Sequence, residues 1–222
     1  MTNVVDLKPV LAFLIDLERN NDRAWFGENH AAYEFARAEF ESFVDLLIGE
    51  LGVFEDLAGV TARDCIFRIY RDVRFSRDKS PYKTHMSAAI APGGKKWSRL
   101  PYYIQIAPDD GSLIAGGLHM PNPAQLAKFR EAIAHDAGPL KAVIDKEEFK
   151  RYFGAVEGEK VKTVPQGYSR DHPEIELLRL KEAVAVHHLS DEAVLSADFP
   201  AHVVKVFATL KPFLDYLNAT VG

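Results

Sequence analysis

The sequence contains one cysteine, Cys65, so no internal disulfide can form. Its setting in the apolar run CIFRIY points to a buried structural thiol rather than a nucleophile. No run of eighteen apolar residues occurs, so no membrane-spanning helix is expected. The N-terminal MTNVVDLK has neither a basic stretch nor a cleavable apolar core, so a secretory signal is not expected and the cytoplasm is the expected compartment. Several catalytic and binding signatures are also missing. There is no GxxxxGK phosphate loop, and Gly93-Gly94-Lys95-Lys96 is too short to serve as one. HExxH, CxxC and HxH spacings are absent, and so is the GxSxG elbow of a serine hydrolase. No spacing points to a resident cofactor. No internal repeat, low-complexity tract or linker interrupts the chain, so one domain over residues 1–222 is expected.

Positive charge is scarce over most of the chain and dense in one place. The net charge is −5, yet residues 61–99 hold ten Lys/Arg against three Asp, a local +7, so the remainder carries −12. A basic island on an acidic body argues against general coating of duplex DNA or membrane and favours a focused anion site. The island centres on Arg68–His85, RIYRDVRFSRDKSPYKTH. There Arg68, Arg71, Arg74, Arg77, Lys79 and Lys83 are interleaved with Tyr70, Phe75 and Tyr82, and Asp72 and Asp78 are the only acids.

Hydrophobic spacing organises the rest. Leu7, Val10, Leu11, Leu14 and Leu17 predict a helix ending near Arg19, and Asn20-Asn21-Asp22 predicts a turn and an N-cap. Phe26, Tyr33, Phe40, Phe43, Leu47 and Leu51 predict one long helix to about Glu50, its aromatic stripe taken as core; Trp25 and Asn29 near its start are the members to watch for a site. After the loose connection 52–59 the period falls to two. Phe67, Ile69 and Arg71 then share one strand face, and Arg68, Tyr70 and Asp72 the other. A basic loop with the turn Asp78-Lys79-Ser80-Pro81 follows. Strands are predicted over 84–91, 102–107 and 112–119, the last two joined by the tight turn Asp109-Asp110-Gly111 and the first two by a longer, mobile loop, Pro92 to Trp97. Short links make these strands antiparallel neighbours. Asn122, Pro123 and Gln125 form a helix start, with Leu126, Phe129 and Ile133 on its buried face. Short helical pieces over 140–152, a strand over 160–164, a turn at 165–168, a helix from Pro173 through Lys181 and a strand over 183–189 follow. A closing helix over 199–217, with Asp198 as cap, carries a kink at Pro212. Helices, then antiparallel strands, then helices again indicate an α+β fold: an antiparallel sheet with helices mainly on one face, an N-terminal helical pair and a C-terminal helix.

Four stretches carry a resemblance. LAFLIDLERNNDRAWFGENHAAY (11–33), RIYRDVRFSRDKSPYKTH, GGLHMP (116–121) and PQGYSRDHPEIELLRLK (165–181) are similar, in this order, to a bacterial and fungal family of conserved hypothetical proteins, domain of unknown function family 2461. The resemblance covers nearly the whole chain and implies a single α+β domain. It brings no activity with it. The chain departs from the pattern at Ala115-Gly116-Gly117-Leu118-His119, where the family carries GGGxY or GGGxW.

Read as chemistry, Arg68, Tyr70, Arg71, Arg74, Arg77, Lys79 and Lys83 are candidates to hold a small phosphate- or carboxylate-bearing ligand. Guanidinium groups fork onto such anions and ammonium groups add point charge. Backbone amides at Ser76-Arg77 are a candidate nest. Asp72, surrounded by arginines, is better suited to orient a partner than to give up a proton. His85, beside cationic residues, loses its charge readily and is a candidate base, though a hydrogen-bonded surface histidine is the plainer reading. Lys181 and the Tyr168–His172 segment recur in the resemblance and are candidates to fold towards the basic loop. Asp72, His85 and His119 are the least poor metal trio among scattered histidines. Two other readings stay open. In one, the stretch docks an acidic partner or single-stranded nucleic acid, with Tyr70, Phe75, Tyr82, Trp97, Tyr102 and Tyr103 as stacking candidates. A pI near 5.9 and the lack of a reader motif make nucleic acid the less favoured partner. In the other, Arg–Asp pairs merely lock the loop as scaffold.

Overall fold

A computed structural model describes residues 5–94 and 99–222. In order, the elements are α1 (Lys8–Arg19), α2 (Arg23–Glu28), α3 (His30–Leu51), α4 (Ala62–Cys65), β1 (Met86–Ile90), β2 (Tyr102–Ile106), β3 (Ser112–Leu118), α5 (Pro123–His135), α6 (Gly138–Ile144), α7 (Glu147–Phe153), α8 (Ile175–Leu178), β4 (Ala183–Leu189), α9 (Asp191–Val194) and α10 (Phe199–Val221). The strands form one antiparallel sheet in the order β1-β2-β3-β4, so the fold is α+β. Among the described residues no helix is long and apolar enough to cross a membrane.

The described residues form two compact units. The first comprises residues 5–94, Tyr103–Ile114 and His188–Val204; the second comprises residues 99–102, Ala115–His187 and Lys205–Gly222. In the first, α1 buries Val10, Leu11, Phe13, Leu14 and Leu17, and α3 buries Phe40, Phe43, Val44, Leu47 and Leu51 along one stripe. Phe43 stacks on Phe199 at 5.5 Å between centroids. Cys65 is fully buried, as its apolar setting predicts. The β2–β3 turn needs positive φ at Asp109 and Asp110, both at 57°. Asp191 steadies it, its carboxylate accepting from the amides of Asp109 and Asp110 at 3.1 and 3.3 Å. In the second unit, Phe149 packs edge-on against Phe213 of α10. Asn122 caps α5 in the predicted reciprocal box, its side chain accepting from the Gln125 amide at 2.9 Å while Gln125 Oε1 accepts from the Asn122 amide at 3.1 Å. Gly117, at φ 142°, lies so close to β4 that a Cβ there would stand 2.3 Å from the Ala183 carbonyl oxygen.

Four local expectations are corrected. The long helix starting at Phe26 is two helices. Asn29 breaks it with φ −103° and ψ 17°, and its Nδ2 donates to the Trp25 carbonyl at 2.9 Å, closing α2. The predicted strand at 67–71 is only a pair of isolated bridges, Ile66 to Ala88 and Tyr70 to Tyr82. The two-residue alternation holds, with Ile69 buried and Arg68, Tyr70 and Asp72 exposed. The ladder fails because the opposing segment carries Pro81, which accepts from the Arg71 amide but has no N–H to return. The predicted strand at 160–164 is a single bridge, Lys160 to Leu180; past it the Arg179 side chain takes the carbonyls of Val161 and Lys162, leaving no ladder to extend. The helix expected through Lys181 stops at Leu178, because Leu180 and Lys181 are drawn into that bridge and Arg130 caps the carbonyls of Leu178 and Leu180 at 2.8 and 3.0 Å. Lys95–Trp97 of the expected mobile loop, with the candidate stacking ring Trp97, lie outside the described residues.

Candidate functional site

The basic stretch lies in the first unit, anchored at both ends. Tyr82 is buried and stacks on Phe26 of α2 at 4.0 Å with rings 13° apart. Asn21 clamps its backbone: Asn21 Nδ2 donates to the Tyr82 carbonyl at 3.0 Å, and the Tyr82 amide donates to Asn21 Oδ1 at 3.1 Å. The loop between is tied by its own acids. Arg74 forks onto Asp72 through Nε and Nη2 at 2.9 and 2.7 Å. Arg71 pairs with Asp78, which also accepts from the Ser80 hydroxyl at 2.6 Å. Lys79 Nζ donates to the Val73 carbonyl at 2.9 Å. The hydrogen bonds from Arg74 hold the Asp72 carboxyl below its usual range. Those from the Ser80 hydroxyl and amide, then from Arg71, hold Asp78 far below it. Both aspartates therefore stay ionised as loop pins. They are exposed, so each pair adds little stability.

The structure divides the remaining cations between two neighbouring clefts. A cavity of about 200 Å³ opens between α3, α4 and segment 66–70. Arg37 of α3, Arg63 of α4 and Arg68 line it, with Tyr33, Tyr70 and His85. Glu41, one turn after Arg37, pairs with Arg37 at 3.0 Å and Arg63 at 3.6 Å. Arg68 has no carboxylate within ion-pair distance among the described residues. Burial pushes the Tyr33 phenol up, so it remains a protonated donor. The second cleft is lined by Arg71, Asp78, Lys83 and His85, with Glu18 and Asn21. His85 thus lines both. Burial, then the nearby Lys83 charge, lowers its pKa to about 4, so the imidazole is neutral at physiological pH. Burial is the larger cause, where the cationic surroundings alone suggested the effect.

Of the predicted set, Arg68, Tyr70 and His85 meet in the first cavity, and Arg71, Lys83 and His85 in the second. Lys79 borders a shallow surface depression beside Asn21 and Arg23; Arg74 and Arg77 are exposed at the loop. Asp72 is engaged by the Arg74 fork. Lys181 belongs to the second unit, where it pairs with Glu159 at 2.8 Å. His172 in that unit accepts from the Glu174 amide. His119, also there, pairs with Glu182 at 2.7 Å. Among the described residues no group of three or more His, Cys, Asp or Glu is placed to hold a metal. Sequence reasoning missed Arg37, Arg63 and Tyr33. The available signal was the Tyr33–Arg37–Glu41 spacing, which sets a phenol, a guanidinium and a carboxylate one turn apart beside the aromatic stripe.

A family model described as "Conserved hypothetical protein (DUF2461)" matches residues 9–216. The chain belongs to the DUF2461 family. No curated protein and no solved structure matches it. The 68–85 motif supplies residues to both clefts and to the pinned loop. The 165–181 stretch lies in the second unit, where Arg179 binds the carbonyls of Val161 and Lys162.

Proposed function

We propose that the protein binds a small phosphate- or carboxylate-bearing molecule in the cavity lined by Arg37, Arg63 and Arg68. One observation carries this reading. Three guanidinium groups face one concavity, Glu41 balances Arg37 and Arg63, and Arg68 has no ion-pair partner among the described residues. An anion relieves that repulsion and accepts the guanidinium forks. Tyr33 and Tyr70 offer ring faces to the rest of the ligand. The neutral His85 adds a proton acceptor at the wall, the element an enzyme at this site would use.

The test is thermal unfolding of the wild type and of Arg68→Ala and Arg37→Ala against nucleotides, sugar phosphates, carboxylates and inorganic phosphate. A ligand at a hundred times its Kd stabilises by about 2.7 kcal/mol, a clear rise in midpoint. A rise with one class of anion, lost in both variants, supports the reading. No rise with any anion refutes it.

A second reading draws support from Phe75, which is 95% exposed at the loop. Arg74 stands 5.8 Å from its ring centroid, and Tyr70 is 49% exposed nearby in sequence. An aromatic ring among cations is suited to stack on the bases of single-stranded nucleic acid. Titration with a labelled oligothymidylate decides it: this reading requires affinity that falls steeply with salt and is lost in Phe75→Ala.

A further inference from the structure

We propose that Lys83 is a nucleophilic amine that condenses with the carbonyl of a small aldehyde or ketone bearing a carboxylate or phosphate. The anionic part of that substrate rests on the reading above; the amine does not. Lys83 is half-buried in the second cleft, and its Nζ stands 5.5 Å from the centroid of the Phe67 ring. Among the described residues no carboxylate lies within ion-pair distance of it. The two acids of the cleft are Glu18 and Asp78, and Asp78 is taken by Arg71 and Ser80. Every other described lysine of the basic stretch has an acceptor, since Lys79 binds the Val73 carbonyl. Burial, then the Arg68 charge, lowers the Lys83 pKa, which raises the fraction of free amine.

The neighbours complete the chemistry. The free amine attacks the carbonyl carbon, a C–N bond forms, and the C=O π pair moves onto oxygen. The neutral His85 imidazole in the same cleft carries two protons from nitrogen to oxygen in turn, the first making the carbinolamine hydroxyl and the second protonating that hydroxyl. That hydroxyl leaves as water, giving an imine on Lys83. Amine and carbonyl yield imine and water, with no oxidant or reductant. Arg68 lines the neighbouring cavity, which shares His85 with this cleft, and holds the anionic end of the substrate there.

The experiment treats the full chain with glyoxylate, an anionic aldehyde, or propionaldehyde, a neutral one. Sodium cyanoborohydride reduces any imine, and peptide mass spectrometry locates it. Lys83 is expected to be labelled faster than the exposed lysines by both probes, as a half-buried amine without a carboxylate partner among the described residues requires. Arg68→Ala slows glyoxylate more than propionaldehyde, since it removes the partner of the anion as well as the charge that favours the free amine, and Lys83→Arg removes the fast label. A lead for Lys83 with propionaldehyde but not glyoxylate keeps the amine and overturns the anionic substrate. Labelling of Lys83 no faster than other lysines by either probe overturns the proposal, and the ligand panel above then tests the anion cavity by itself.

Discussion

Exchanging His85 for glutamine removes a group whose charge the fold resists. In the unfolded chain an imidazole titrates near ~6.5. In the folded protein burial and Lys83 lower that value to about 4. Between these values the unfolded chain binds a proton that the folded chain does not, so acid favours unfolding. The stability at stake is intact above the unfolded value and is lost progressively as pH falls towards the folded one. Going from about pH 7.5 to about pH 4.5, the linkage relation gives an upper value of about 2.5 kcal/mol. Water at the exposed edge of the ring reduces this to about 2 kcal/mol. Glutamine does not titrate, so His85→Gln loses this contribution while keeping every other acid-sensitive group. The assay is thermal unfolding of both proteins at the two pH values. The wild-type midpoint is expected to fall further than that of the variant by about 4–8 °C, the shift that about 2 kcal/mol produces in a chain of this size. Equal falls in the two proteins would show that His85 is solvated and charged like any surface histidine. His85 would then be no neutral proton acceptor between the two clefts.

Three further outcomes follow from the geometry. Asn21→Ala strips both hydrogen bonds from the Tyr82 backbone; a loss of about 1–3 kcal/mol is expected in urea unfolding, with faster proteolysis in the 68–85 stretch. Gly117→Ala forces a Cβ against the Ala183 carbonyl at a positive φ; a cost on the order of 3 kcal/mol is expected by chemical denaturation, and near-neutrality would refute the close approach of β3 to β4. Asn122→Ala opens the capping box of α5 and is expected to lower stability by about 1 kcal/mol, with Asn122→Ser restoring most of it.

Periodicity and local chemistry determined much of this protein from the sequence alone. The apolar spacing of α1 and α10, the alternation of the strands, the Asp109-Asp110-Gly111 turn and the Asn122 box depend on residues within a few positions of each other, so a linear reading recovers them. The break at Asn29 escaped it because the aromatic stripe runs on unchanged across the break, and only a side chain bonding to the backbone reveals the end of α2. The strand at 67–71 had the right faces, but its ladder depended on Pro81 in the opposing segment. The charge island was legible as excess charge. What each cation does was not, because a guanidinium reaches several ångströms and takes the nearest carboxylate, wherever in the chain that lies. Tertiary structure assigned Arg74 to Asp72 and Arg71 to Asp78, and left Arg68 without such a partner among the described residues. It brought Arg37 and Arg63, from two separate helices, to the same cavity. It also placed Lys181 with Glu159 in the second unit. Sequence thus determined the elements and the sign of the charge; only folding decided which charges are neutralised, because that depends on through-space distance and burial.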